Sequence, residues 1–130
     1  MKALTLYQPW ATLVIRRFKK IETRSWFTTY RGPLAIHASS NRTYLHMIYS
    51  PPFNQYFKDG EILPLGAILG TVDLITCIRM NENFIRETPA EERALGEYAI
   101  GRAAWILEHV LQYQHPITAK GAQGLWEWEG

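Results

Sequence analysis

Apolar and polar positions alternate in six stretches of this chain, and three further stretches carry helical spacing or helix-boundary signals. Lys2–Tyr7 (KALTLY) sets Leu4 and Leu6 on one face and predicts a strand. Pro9 suits the first turn of a helix. Trp10, Leu13, Val14 and Phe18 follow at i, i+3, i+4 and i+8, so residues 9–18 predict a short amphipathic helix. Lys20–Trp26 reads as extended. Side chains alternate across a strand, which groups Lys20, Glu22, Arg24 and Trp26 on one face and Ile21, Thr23 and Ser25 on the other. Lys19 falls at the junction of helix and strand.

Gly32–Pro33 marks a turn, and Leu34–Ser39 (LAIHAS) a strand with Leu34, Ile36 and Ala38 facing one way. Residues 42–49 read as helical until Pro51–Pro52 stops them, and 53–65 read as loop. Gly66–Met80 carries the longest alternation, with Ile68, Val72, Leu74 and Ile78 on one face and Asp73 opposite. Thr88-Pro-Ala-Glu91 has the form of a capping box with Pro at the first helical position, which predicts a helix ending near Gly96. Ala103–Tyr113 alternates again. Leu125–Glu129 (LWEWE) is a last strand with Trp126 and Trp128 on one face. Most of the strand connections are too short for a βαβ series. The expected fold class is therefore α+β: a small mixed, mostly antiparallel β-barrel flanked by short helices, one domain over residues 1–130.

Composition narrows the function classes. At 47% hydrophobic and 20% charged residues, the 130-residue chain can build a core without disulfides or a metal. The net charge of +2 is small for a nonspecific nucleic-acid binder, so any such role must be local and selective. A single cysteine, Cys77, excludes an internal disulfide and fits a reducing cytoplasm. No apolar run approaches the roughly 18 residues of a membrane-crossing helix, and no signal region opens the chain. A cytoplasmic protein with no membrane partner is expected.

Candidate chemistry concentrates in FKKIETRSW, residues 18–26. Its charges read either as a solvated strand face or as a site. Trp26 would be wasted on a wet face, and Glu22 between Lys20 and Arg24 is a carboxylate whose position two cations fix. GEYAIGR (96–102) reads as a helix end and turn, or as a loop that holds Glu97 and Tyr98 at the barrel mouth, where a carboxylate could act as general acid or base. KGAQGLW (120–126) reads as a plain turn, or as a loop in which Lys120, Gly121 and Gly124 approach a ligand. The four histidines show no ligand spacing, and no P-loop, GxGxxG or G-x-S-x-G motif is present. No metal or cofactor is expected.

LYQPWATLVIRRFKKIETRSW resembles the signature of the ASCH domain, in the PUA-like superfamily of small RNA-associated β-barrels. The central motif of that family is G-x-K-x-x-E-x-R. Lys19, Glu22 and Arg24 match its last three positions, while Arg17 stands at the glycine. YRGPLAIHAS, GTVDL, GEYAIGRAAWIL and GLWEW extend the resemblance to the bacterial branch and to nearly the whole chain. It implies that the Lys, Glu and Arg face a cleft between barrel and helices. It also implies a partner that is RNA or a modified nucleoside. A nuclease activity is associated with the family, and some members resemble amidohydrolases that deacetylate N4-acetylcytidine. In those a Lys works with a Thr and a Glu. Lys19 holds the first position, but Glu22 stands at the Thr position, and the alternation turns the neighbouring Thr23 to the other face. Glu97 is the best match for the second carboxylate, and Glu92 a weaker one.

Two functions follow from this resemblance. In the first, Glu22 or Glu97 activates water, Lys19 steadies the oxyanion, Arg24 holds Glu22 or the ligand, and Trp10 or Trp26 stacks on the base. In the second, a non-catalytic RNA-binding module, Lys19, Lys20 and Arg24 meet phosphate and Glu22 accepts from a base amino group.

Overall fold

The computed structural model describes residues 1–130. Six strands form one curled, mixed sheet: β1 (Lys2–Leu6), β2 (Ile21–Arg24), β3 (Gly32–Ala38), β4 (Ala67–Arg79), β5 (Ala103–Thr118) and β6 (Leu125–Glu127). Their order is β2-β5-β4-β3-β1-β6. Only β1 and β3 run parallel; every other pair is antiparallel. The edge strands β2 and β6 do not pair, so the sheet is a half-barrel within a PUA-like α+β fold. Its concave side is filled by Leu4, Leu6, Leu34, Ile36, Val72, Leu74 and Trp105, all buried. Helix α1 (Trp10–Ile15) plugs one end with Ala11, Val14 and Ile15.

Several elements differ from the reading of the sequence, each for a local reason. Helix α1 stops at Ile15 rather than Phe18, because Arg17 adopts a left-handed backbone with φ of 68°. Gly32 and Pro33 open β3 instead of forming a turn. The 42–49 segment tightens into a 3-10 turn at Leu45–Tyr49, and a second one, Phe53–Tyr56, sits where loop was expected. Helix α2 (Glu82–Glu87) was not foreseen; the Asn81 side chain caps it by accepting from Phe84 N at 2.8 Å. Thr88 closes that helix, its hydroxyl donating to the Phe84 carbonyl, so it does not cap α3 (Ala90–Arg93). The capping box is therefore not formed.

The long alternation of β4 breaks at bulges. Register shifts between Ile68 and Gly70 against β3, and between Leu74 and Thr76 against β5, change which face a β4 side chain takes, while the shift at Thr71–Asp73 puts its extra residue on β5. Ile68 packs in a separate cluster with Ala3 and Ala35, away from Val72 and Leu74, and Cys77 rather than Ile78 packs on the main core. A Cβ at Gly70 would stand 2.2 Å from the Leu111 carbonyl oxygen, so the first bulge needs glycine. No helix is long and apolar enough to cross a membrane.

Candidate functional site

The opening of the half-barrel is where the charged motif lies. β2 reaches toward β1 through one side chain: Arg24 Nη2 donates to the Thr5 carbonyl at 3.0 Å. Two clefts flank this bridge and share a wall made of Tyr7, Trp10 and Glu22. The first, of about 890 Å³, adds Arg24, Trp26, His37 and the 118–124 loop. The second, of about 500 Å³, adds Lys19, Thr23, Glu97, Arg102 and the apolar Tyr44, Met47 and Phe53.

Glu22 is the centre of the arrangement. Lys19 Nζ lies 3.6 Å from its Oε1, and Arg24 Nε 3.1 Å from its Oε2. The Arg24 Nε–H points off that oxygen's axis and, being enclosed, has no aligned acceptor, so this contact is one of charge. Lys19, not Lys20, is the second cation. The early end of α1 turns Lys19 inward, where 1% of its side chain is exposed and Nζ donates to the Ile21 carbonyl. Lys20 is exposed and lines neither cleft.

Trp26 packs edge-on against the buried Trp105 with ring centroids 4.9 Å apart, which leaves Trp26 available to the first cleft. Trp10 is fixed by Tyr44 and Phe53 edge-on and by its Nε1 donating to Leu95 O at 3.0 Å. Glu22, Arg24 and Trp26 thus come to one cleft, as the alternation of 20–26 requires.

The second cleft gathers Lys19, Thr23 and Glu97. Thr23 turns away from Arg24 and Trp26, as the alternation expects, and that side lines the second cleft; its hydroxyl accepts from Glu97 N at 3.0 Å, which binds the 96–98 loop to β2. The Glu97 carboxylate is mostly exposed and pairs with Arg102 at 3.3 Å. Glu92 has another part to play: its buried carboxylate accepts from the backbone of Lys20 and Ile21 at 3.0–3.1 Å and anchors the start of β2. Tyr98 lines neither cleft, and its enclosed hydroxyl has no partner. Burial above all, then the charges of Glu92 and Glu22, push its phenol well above the usual value.

His37 and the 118–124 loop, with its expected Lys120, Gly121 and Gly124, complete the first cleft. His37 is buried between β1 and the 118–124 loop; Nε2 meets the Ala119 carbonyl at 2.7 Å and Nδ1 the Thr5 hydroxyl at 3.1 Å, which also accepts from Trp126 Nε1. A Cβ at Gly121 would lie 2.6 Å from the His37 ring, so that glycine lets the loop close over the imidazole. The G-x-x-G spacing was the available signal; its partner, His37, was 84 residues distant and unmarked. No three His, Cys, Asp or Glu side chains gather to hold a metal.

A half-barrel that presents K-x-x-E-x-R at its mouth defines a class, and the comparisons name it. The family model described as the ASCH domain matches residues 4–117, and the chain belongs to that family. Over 85 residues it is 35% identical to activating signal cointegrator 1 of Mus musculus and 34% identical to that of Homo sapiens. Those matches cover 61% of this chain but 15% of the length of each relative. The crystal structure of ASCH from Zymomonas mobilis superposes with a TM-score of 0.57 over 90% of this chain and 72% of its own, at 14% identity, a likeness of fold.

Proposed function

We propose that the first cleft binds an unpaired nucleotide of RNA. One observation carries this reading. A carboxylate held between two cations shares a cleft with an aromatic face, where Glu22 and Arg24 meet Trp26. Specific RNA readers take single-stranded bases, stack them on aromatics and read their edges with fixed polar groups. Trp26 supplies the stacking face, and Trp10 lines the same cleft. Glu22 and Arg24 read the base edge, with Lys19 acting on Glu22 from behind. Lys120, exposed in neither salt bridge nor hydrogen bond and lining the same cleft, meets the backbone phosphate. Lys20 lies outside the cleft and adds only to the field around it.

The test is binding of a fluorescein-labelled RNA nonamer, followed by anisotropy at several salt concentrations. Affinity falls as salt rises, with a log–log slope of about −0.7 for each phosphate neutralised. Lys120→Ala makes the slope shallower by about that amount. Absent or salt-independent binding refutes the reading.

A second reading has an observation of its own. Lys19, Thr23 and Glu97 line the second cleft together, a set comparable to the Lys, Thr and Glu of the amidohydrolases. There Glu97 would take a proton from water as the hydroxyl adds to an N4-acetyl carbonyl, Lys19 would steady the oxyanion, and the amine would leave protonated, giving cytidine and acetate. Chromatography of N4-acetylcytidine incubated with the protein decides it. Release of cytidine that Glu97→Gln and Thr23→Val abolish supports hydrolysis; no release removes it.

A further inference from the structure

The polar wall at Glu22 and Arg24 has a definite hydrogen-bonding pattern, set by what each group has already committed. Glu22 makes no hydrogen bond, and neither of its oxygens is among the enclosed side-chain atoms left without a partner. Neither oxygen is therefore sealed off, and each keeps lone pairs to spare where Glu22 walls the clefts. Lys19 and Arg24 hold the carboxylate by charge at 3.6 and 3.1 Å without saturating it. Arg24 is committed differently. Its Nε faces Glu22, and Nη2 is pinned on the Thr5 carbonyl at 3.0 Å. Nη1 carries no bond and belongs to a partly exposed side chain in the same cleft. The wall thus offers two acceptors on one carboxylate and, on the neighbouring guanidinium, free N–H donors led by Nη1.

We infer that this wall selects guanine. Along its Watson–Crick edge guanine presents two adjacent N–H donors, N1 and the 2-amino group, followed by the O6 acceptor. The donors match the two Glu22 oxygens, and O6 matches Arg24 Nη1. Cytosine presents one donor and two acceptors, so its ring N3, an acceptor, would face the second Glu22 oxygen where guanine offers a donor. Adenine and uracil each lack the adjacent pair of donors. Lys19 has a part here too. Buried at the back of Glu22, it keeps the acceptor in place without reaching the base. The inference rests on the reading of the first cleft as a nucleotide site, and names the base that site takes.

Four labelled nonamers, U4NU4, with guanosine, inosine, adenosine or cytidine at the centre, test it by anisotropy at one fixed low salt concentration. Inosine keeps N1–H and O6 but lacks the 2-amino group. The guanosine nonamer is expected to bind about tenfold tighter than the inosine one, the lower part of the range for a good bidentate base contact, with adenosine and cytidine weaker still. Glu22→Gln turns one acceptor into a donor and is expected to erase the difference between guanosine and inosine while keeping the dependence on salt. Should that variant fail to fold, the comparison of guanosine with inosine on the native protein still decides. Equal binding of guanosine and inosine, or tightest binding of cytidine, overturns the choice of guanine and leaves the nucleotide site standing. Binding of none of the four overturns both.

Discussion

Lys19 Nζ stands 3.6 Å from Glu22 Oε1, and only 1% of the lysine side chain is exposed. A buried ammonium of this kind is structural before it is anything else. Removing one partner of a buried pair leaves the other charge and its acceptors unsatisfied, at a cost of about 3 kcal/mol or more. Lys19→Met keeps much of the volume but strands the Ile21 carbonyl and half-frees Glu22. An unfolding free energy from urea titration lowered by about 3 kcal/mol is expected, with part of it regained in Lys19→Met/Glu22→Gln. No loss in the single variant would mean that the pair adds nothing to the fold.

The orphaned Tyr98 hydroxyl gives a prediction with a pH axis. An enclosed hydroxyl with no partner costs about 1 kcal/mol or more, so Tyr98→Phe is expected to raise the melting temperature at neutral pH. Burial, aided by Glu92 and Glu22, raises the phenol in the folded state. The unfolded chain ionises first, near pH 10. Stability tied to this group is thus complete below about pH 10 and declines as pH climbs through the folded value. Melts from pH 7 to 11 should show the advantage of Tyr98→Phe growing on the alkaline side; parallel curves would contradict this.

Arg17 occupies the position where the family motif has glycine, and its φ of 68° shows why glycine belongs there. A left-handed residue other than glycine carries roughly 1–2 kcal/mol of steric cost, while the extra freedom of glycine in the unfolded chain returns about 0.4–1 kcal/mol of that. Arg17→Gly also gives up an exposed bond from Arg17 Nη2 to the Val110 carbonyl at 2.9 Å. The net expectation is a gain of about 0.5 kcal/mol, read as a small rise in melting temperature. The guanidinium leads away from both clefts, so affinity for RNA at fixed salt should change little.

The six strands were legible because alternation is a local signal, and β1, β3 and the Glu22-Arg24-Trp26 face follow it directly. Two kinds of feature were not. Bulges in β4 change the parity of a strand without marking the sequence beyond Gly70, so Ile68 left the expected face. Competition between neighbouring caps also hid the local structure: Thr88 can open one helix or close another, and the helix at Glu82–Glu87 won it. In the site, the exchange of Lys19 for Lys20 follows from one left-handed residue, Arg17, which shortened the helix and redirected the chain. The first cleft owes its floor to His37 and Gly121, whose meeting depends on the sheet order and on no spacing that a linear reading could find.

The most direct measurement of the central claim is the affinity of a labelled RNA nonamer for the native protein and for Trp26→Leu, side by side at low salt, with a thermal melt to confirm that the variant is folded. Stacking of a base on an aromatic face is worth about 1–3 kcal/mol. The account expects the native protein to bind and the variant to lose about tenfold in affinity, with the salt slope unchanged because the phosphate contact remains. Equal affinity of the two proteins, or no binding by either, would contradict a nucleotide site at Glu22, Arg24 and Trp26.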